Sequence, residues 1–350
     1  MLYSVNTVID IFPEYCYFYY EIKMKKDQKS DFFDLKEIIL QKIKKNGGWV
    51  NCHAHIDRAF TITEDNFKLA NKYRHEKWLL NAELRKTSTT NQIYDRMSRA
   101  TELLLSQGVS VCGTFIDVDP DVKDKAIKAS QKLRETYKKD MTFKFINQSS
   151  YGIFTKETRE WFDRGAEYVD IIGGLLKSAA GQGDEYLDIL LSTAKEKKKM
   201  VHVHIDELNT PDEKETEMLL KKILEHDMEG KVVGIHGISL NTHRQGYRKM
   251  NYKLMKLASF MMISCPMSWL DSRRSETRAP IHNPIAPVDE LLKHNIPVGI
   301  GVDNIADIFL PLNDGNMWAD LKALIYENRL YDIDEAVKIA TSYGRKTLGI

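Results

Sequence analysis

The sequence predicts an α/β fold, a (β/α)8 TIM barrel, and three observations carry that expectation. Past residue 46, short apolar runs rich in β-branched residues alternate with longer charged segments of helical spacing, the pattern of buried parallel strands joined by crossover helices. Eight such strand candidates occur in a chain of 350 residues, a length that suits one barrel with additions. No GxGxxG follows the first strand candidate, which weakens the rival reading of a doubly wound open sheet.

Residues 1–46 form an N-terminal extension, an aromatic run followed by the amphipathic "DFFDLKEIILQKIKK", and residues 47–350 form the barrel. The strand candidates are "WVNCHAH" (49–55), "VSVCGTFIDV" (109–118), "TFKFINQ" (142–148), "VDIIGGLL" (169–176), "MVHVHID" (200–206), "KVVGIHG" (231–237), "FMMISCP" (260–266) and "IPVGIGVDN" (296–304). Helical spacing is read at 90–108, 124–139, 184–199, 211–226, 252–258, 287–295 and, after the last strand, in "DIDEAVKIATSYGRKTLG". Gly108 stands where a helix C-cap belongs. Two insertions break the repeat, 56–89 after the first strand and 267–286 after the seventh, the latter with Arg273, Arg274 and Arg278. Loops at the C-terminal ends of barrel strands are where such folds build active sites.

Hydrophobic residues make up 43% and charged residues 29%, ordinary for a globular protein with a large core. A net charge of +1 argues against nucleic acid or an anionic membrane as a partner. The four cysteines show no CxxC spacing, which fits a reduced, cytoplasmic setting. No run of about 18 apolar residues is present, and the first residues do not read as a signal peptide.

The candidate chemistry lies at the strand ends. Residues i and i+2 of a strand point to one side, so His53 and His55 project together into the barrel mouth as a pair suited to a divalent ion. An HxH alone arises by chance, but the fifth strand ends with His202, His204 and Glu207, the sixth with His236 and the eighth with Asp303. Four strand ends on one rim each supply a group able to ligate a metal or move a proton, where random placement would scatter some onto helices. His226 and His294 fall on last turns of helices, where a cation suits the dipole. His75, His243 and His282 lie in loops, and Cys52 and Cys265 read as small apolar packing groups.

These motifs resemble the amidohydrolase superfamily and, within it, the cytosine deaminase group, over residues 48–350. The carriers are HxH after the first strand, His204-Ile205-Asp206-Glu207 after the fifth, His236 and Asp303, with "PLNDGNMWADL" (311–321) and the "IAPVDELL" region (285–292) in support. The resemblance implies one divalent ion, Zn2+ or Fe2+, on His53, His55, His204 and Asp303, activating water at neutral pH. It implies that Glu207 shuttles a proton to the leaving nitrogen, that His236 orients the attacking oxygen and stabilises developing charge, and that Asp303 takes the water's proton. His202 is then an interior supporting residue. The implied reaction is hydrolytic deamination of a small cyclic amidine, a cytosine-like or triazine-like ring. Ring opening of a cyclic amide is one alternative, and a catalytically silent barrel serving as a binding protein is another.

The sequence departs from that group in three places. The group reads the base with a glutamine after strand three; the aligned stretch here is "QSSYGI" (148–153), with Ser150 at that position and Gln148 two residues earlier as a substitute. Asn304 follows Asp303 where the group usually has a second acid. Ser150, Gln148 and Asn304 are thus the expected substrate contacts, and their identity puts the substrate in question. The small β-sandwich of the family is expected to be absent or rudimentary, leaving an apolar flank for a partner or a second copy, or marking a truncated gene product. Lys177, near the end of strand four, stands where the two-metal branch carries a bridging lysine, but the HxDE motif favours a single ion.

Overall fold

A computed structural model of the chain describes residues 34–72, 74–270 and 284–350, without the side chains of residues 74 and 75. Its eight strands are β1 (Trp49–Asn51), β2 (Val109–Asp117), β3 (Thr142–Gln148), β4 (Ile171–Leu175), β5 (Met200–Ile205), β6 (Val232–His236), β7 (Met261–Ser264) and β8 (Val298–Ile300). They pair in parallel in sequential order. The ring closes because the amide of Cys52 donates to the carbonyl of Ile300 at 2.9 Å and that of Asp303 to the carbonyl of His53 at 2.9 Å. A TIM barrel results, and the open-sheet alternative is excluded. β4, β6 and β7 are buried throughout, on both faces, by interior side chains and outer helices, which is why such runs read as continuously apolar.

Helices Thr90–Ser106, Lys125–Thr136, Lys156–Tyr168, Gly183–Lys197, Glu215–Glu225, Gln245–Leu257 and Val288–Lys293 lie between successive strands, and Met317–Asn328, Ile333–Ala340 and Ser342–Thr347 follow β8. Capping boxes at Thr89 and Thr155 start two of them, each contributing about 1 kcal/mol. Gly108 has φ of +83° just past Thr90–Ser106, the left-handed geometry a helix C-cap requires. Val50, Cys52, Phe115, Ile146, Ile235 and Leu348 belong to one buried cluster, so the C-terminal segment seals the barrel's lower end.

Several elements differ from the sequence reading. β1 and β8 are short because residues beyond them leave the regular ladder, joined only by the bridge Ala54–Asp303. Gly301 makes this possible: a Cβ there would stand 2.7 Å from the backbone of His53. The helix read at 252–258 starts at Gln245, and the final segment is broken at Thr341, whose hydroxyl bonds the Val337 carbonyl at 2.6 Å. Helices Lys156–Tyr168 and Met317–Asn328 add to those read from spacing.

Residues Lys42–Ile350 form one compact unit; of the other, Met1–Gln41, residues 34–41 are described and begin the helix Leu35–Lys45. Among the described residues every strand belongs to the barrel sheet, and none builds a second sheet of a sandwich. The remainder of the N-terminal extension and the stretch with Arg273, Arg274, Arg278 and His282 lie outside the described residues. No helix among the described residues is long and apolar enough to cross a membrane.

Candidate metal centre

Phe115 on β2 forms the wall against which the imidazoles assemble. Its ring centroid lies 5.1 Å from that of His53, 5.5 Å from His55 and 4.7 Å from His204. One ligand nitrogen from each of these three buried histidines lies within 4.8 Å of the others, and a second such group joins His53, His236 and Asp303. The Asp303 carboxylate stands 3.3 Å from Nε2 of both His53 and His55. His236 Nε2 lies 3.8 Å from Glu207 and 3.9 Å from Asp303. The four strand ends singled out by sequence therefore converge on one small volume.

The donor set fits a divalent cation. Both ring nitrogens of His53 are buried without a hydrogen-bond partner, an arrangement that costs stability unless something else engages them. His204 donates its Nδ1–H to the Gly174 carbonyl at 3.1 Å, which leaves the lone pair of Nε2 for an ion. Burial and the Arg58 cation hold His55 well below the usual imidazole range, and burial lowers His204 to about 3. Burial alone would raise the Asp303 carboxyl, but its contacts with His53 and His55 outweigh that and hold it well below the carboxylate range. Neutral imidazoles and an ionised carboxylate are the forms a metal takes.

The backbone at the rim is strained: Asp206, His236 and Asp303 have φ of 54°, 74° and 60°. A polar network holds the turn that carries Glu207. The Asp206 amide donates to Glu215 at 2.7 Å, the Glu215 amide to Asp206 at 2.9 Å, and the Leu208 amide to Glu213 at 2.7 Å. Burial pushes the Asp206 carboxyl up to about 7. Lys177 pairs with Glu213 and, at 2.7 Å, with Glu215. Its ammonium is thus paired with two carboxylates of this turn. His202, one layer deeper, donates Nε2–H to the Thr347 carbonyl at 2.8 Å and lies outside both candidate groups.

The expected substrate contacts divide. Ser150 accepts a 2.9 Å hydrogen bond from Arg85, a residue of the inserted helix Arg74–Thr87 that is itself flanked by Asp119 at 3.4 Å. Asn304 donates to Asp307, which in turn pairs with Arg58 at 3.4 Å. Gln148 is different. It pairs in register with Asp117, two residues beyond the Phe115–Ile146 pair, so it shares their inward face. It is buried, and its Oε1 has no partner. Arg58, Arg85, Asp117 and Trp269 also surround the site; Arg58, Arg85 and Trp269 lie in the insertions after the first and seventh strands, which was their sequence signal, and Asp117 ends β2 without one. Of the other histidines, His226 and His294 cap helix C-termini as expected, and His243 is buried, donating to the Glu213 carbonyl at 2.8 Å.

The Amidohydrolase family model matches residues 47–350. An uncharacterized protein of Haemophilus influenzae is 47% identical over 268 residues, 75% of this chain and 97% of its own length. The N-isopropylammelide isopropyl amidohydrolase of Pseudomonas sp. (strain ADP) is 25% identical over 320 residues, 87% of this chain and 74% of its own. Among solved structures, the 5-methylcytosine deaminase of Klebsiella pneumoniae liganded with 5-fluorocytosine superposes with a TM-score of 0.80 at 21% identity, covering 86% of this chain and 74% of the other.

Proposed function

Because the chain belongs to the amidohydrolase family, a family whose members hydrolyse bonds with a metal ion, we propose that it is a deaminase acting on a small planar ring that carries an amidine or amino-substituted carbon. The observation that carries the reading is the meeting of His53, His55, His204 and Asp303 around one volume, with Glu207 beside His236 on its rim. His53, His55, His204 and Asp303 would hold one Zn2+ or Fe2+. When bound, such an ion acts as a Lewis acid and lowers the pKa of water from about 15.7 toward about 7.

The chain's own groups do the rest. Asp303, held ionised by its histidine contacts, accepts a proton from the attacking water. Glu207 carries a proton to the departing nitrogen. His236 directs a ring N–H at the oxygen where negative charge develops. Phe115 offers an apolar wall, and Gln148, with its unsatisfied carbonyl, is suited to accept from a ring N–H. Ser150 and Asn304 shape the pocket through Arg85 and Asp307. The names of the two relatives, a methylcytosine deaminase and an ammelide hydrolase, support a pyrimidine or triazine ring as the substrate class.

The test is a turnover screen of Zn2+- and Fe2+-loaded protein against cytosine, 5-methylcytosine and N-substituted aminotriazines, read by ammonia or amine release and by mass. Release of the nitrogen with the ring intact is expected. A ring-opened product would instead make the protein a cyclic-amide hydrolase, and metal-free, inactive protein would leave a binding module.

A further inference from the structure

We propose that Trp269 is a positioning residue that fixes the tautomer and ring orientation of His236. Trp269 closes the short helix Pro266–Trp269 directly after β7, and His236 is the last residue of β6. The indole Nε1–H donates to Nδ1 of His236 at 2.9 Å, with the ring centroids 4.9 Å apart and the planes at 72°. Both residues are buried, His236 2% and Trp269 7% exposed.

An indole nitrogen can only donate, so Nδ1 of His236 must be an acceptor, and the ring hydrogen sits on Nε2. That nitrogen faces Glu207 at 3.8 Å and Asp303 at 3.9 Å. His236 therefore presents an N–H, not a lone pair, to the space between the two carboxylates. His204 has the opposite arrangement, giving its Nδ1–H to Gly174 and leaving Nε2 bare. The two buried groups that could hold an ion are thereby distinguished. His53, His55 and His204 form the ligand set together with Asp303, and His236 stands beside it as a donor.

Without the indole N–H, Nδ1 becomes a buried acceptor with an unmet demand, and the imidazole is free to flip or exchange its hydrogen. The N–H aimed at the carboxylates is then present only part of the time. Trp269 acts on the reaction through His236.

The first experiment uses the unaltered protein, labelled with 15N-histidine, with and without one equivalent of Zn2+. Long-range 1H–15N spectra report which ring nitrogen carries hydrogen, and a His236→Asn variant identifies the His236 signals. The expected result is bare Nδ1 and hydrogen-bearing Nε2 at His236 in both states, with the Nε2 signal of His204 moving on Zn2+ addition. A hydrogen on Nδ1 of His236, or loss of the Nε2 hydrogen on Zn2+ addition, overturns the proposal. The second experiment compares Trp269→Phe on the best substrate found. Zn2+ content stays equal to that of the unaltered protein, the His236 spectrum shows mixed tautomers, and kcat falls about 10- to 100-fold with KM changed less than about twofold. An unchanged kcat, or a KM that rises in step with the loss, overturns it. The kinetic arm rests on the hydrolytic reading; the spectra do not, so failure of one is distinguishable from failure of the other.

Discussion

Arg85 donates from the inserted helix Arg74–Thr87 to the hydroxyl of Ser150, 65 residues away, at 2.9 Å. The same guanidinium lies 3.4 Å from Asp119 and 3.9 Å from Asp117 and is 4% exposed, so one buried cation ties the loops after β1, β2 and β3 together. Its removal takes the cation away from the buried Asp119 carboxylate, whereas Asp117 keeps Arg58 at 3.6 Å. Arg85→Met is expected to lower stability by about 3–5 kcal/mol in urea unfolding, and a loss under about 1 kcal/mol would show that the acids do not depend on it.

Ligand and neighbour can be told apart on β5. His204→Ala should remove the bound metal, because Nε2 is the atom offered to the ion. His202→Asn should keep it, because that ring is spent on the Thr347 carbonyl. Metal content per chain by emission spectroscopy decides, and the reverse outcome exchanges their roles.

Glu207→Gln keeps the shape of the side chain and abolishes its ability to carry a proton. Metal content should be unchanged and kcat should drop about 10²- to 10⁴-fold. Normal turnover would take Glu207 out of the reaction.

The fold itself titrates through His202. Burial lowers this imidazole to about 4, whereas in the unfolded chain it titrates near 6.5. As pH falls from about 6.5 to about 4 the unfolded state gains a proton that the folded state refuses, so stability declines across that window and is insensitive to this group above it. The term is on the order of 3 kcal/mol. His202→Asn should flatten the decline measured by urea unfolding at pH 4.5 and 7; an identical pH slope in both proteins would assign it to other groups.

Chelation provides the complementary measurement. An ion that binds only the folded site stabilises it by about 2.7 kcal/mol at a free concentration 100-fold above its Kd. Removing it should lower Tm, and His204→Ala should show no such drop. A chelator-sensitive Tm in that variant would point to a second metal site.

The barrel was legible because its strands are buried on both faces and read as apolar runs, and the candidate site because HxH and HxDE are local patterns fixed by strand geometry. The same apolar continuity made β1 and β8 look longer than their ladders, since burial persists through residues 52–55 and 301–304 after regular pairing stops. Pairs across the fold left no trace in spacing. Arg85 and Ser150, Trp269 and His236, and Lys177 and Glu213 lie 65, 33 and 36 residues apart, and only the closed barrel brings them together. Ser150 was a natural candidate to touch substrate from its place in the alignment; nothing in spacing showed that a cation from the first insertion would donate to its hydroxyl.

The first and last strands meet where the ligands do, with the Asp303 amide bonded to the His53 carbonyl. A ribosome must therefore have delivered β8 before the histidines near the start of the barrel have a complete cage to enter. Ion capture should come late in biosynthesis and report that the circle of strands has closed.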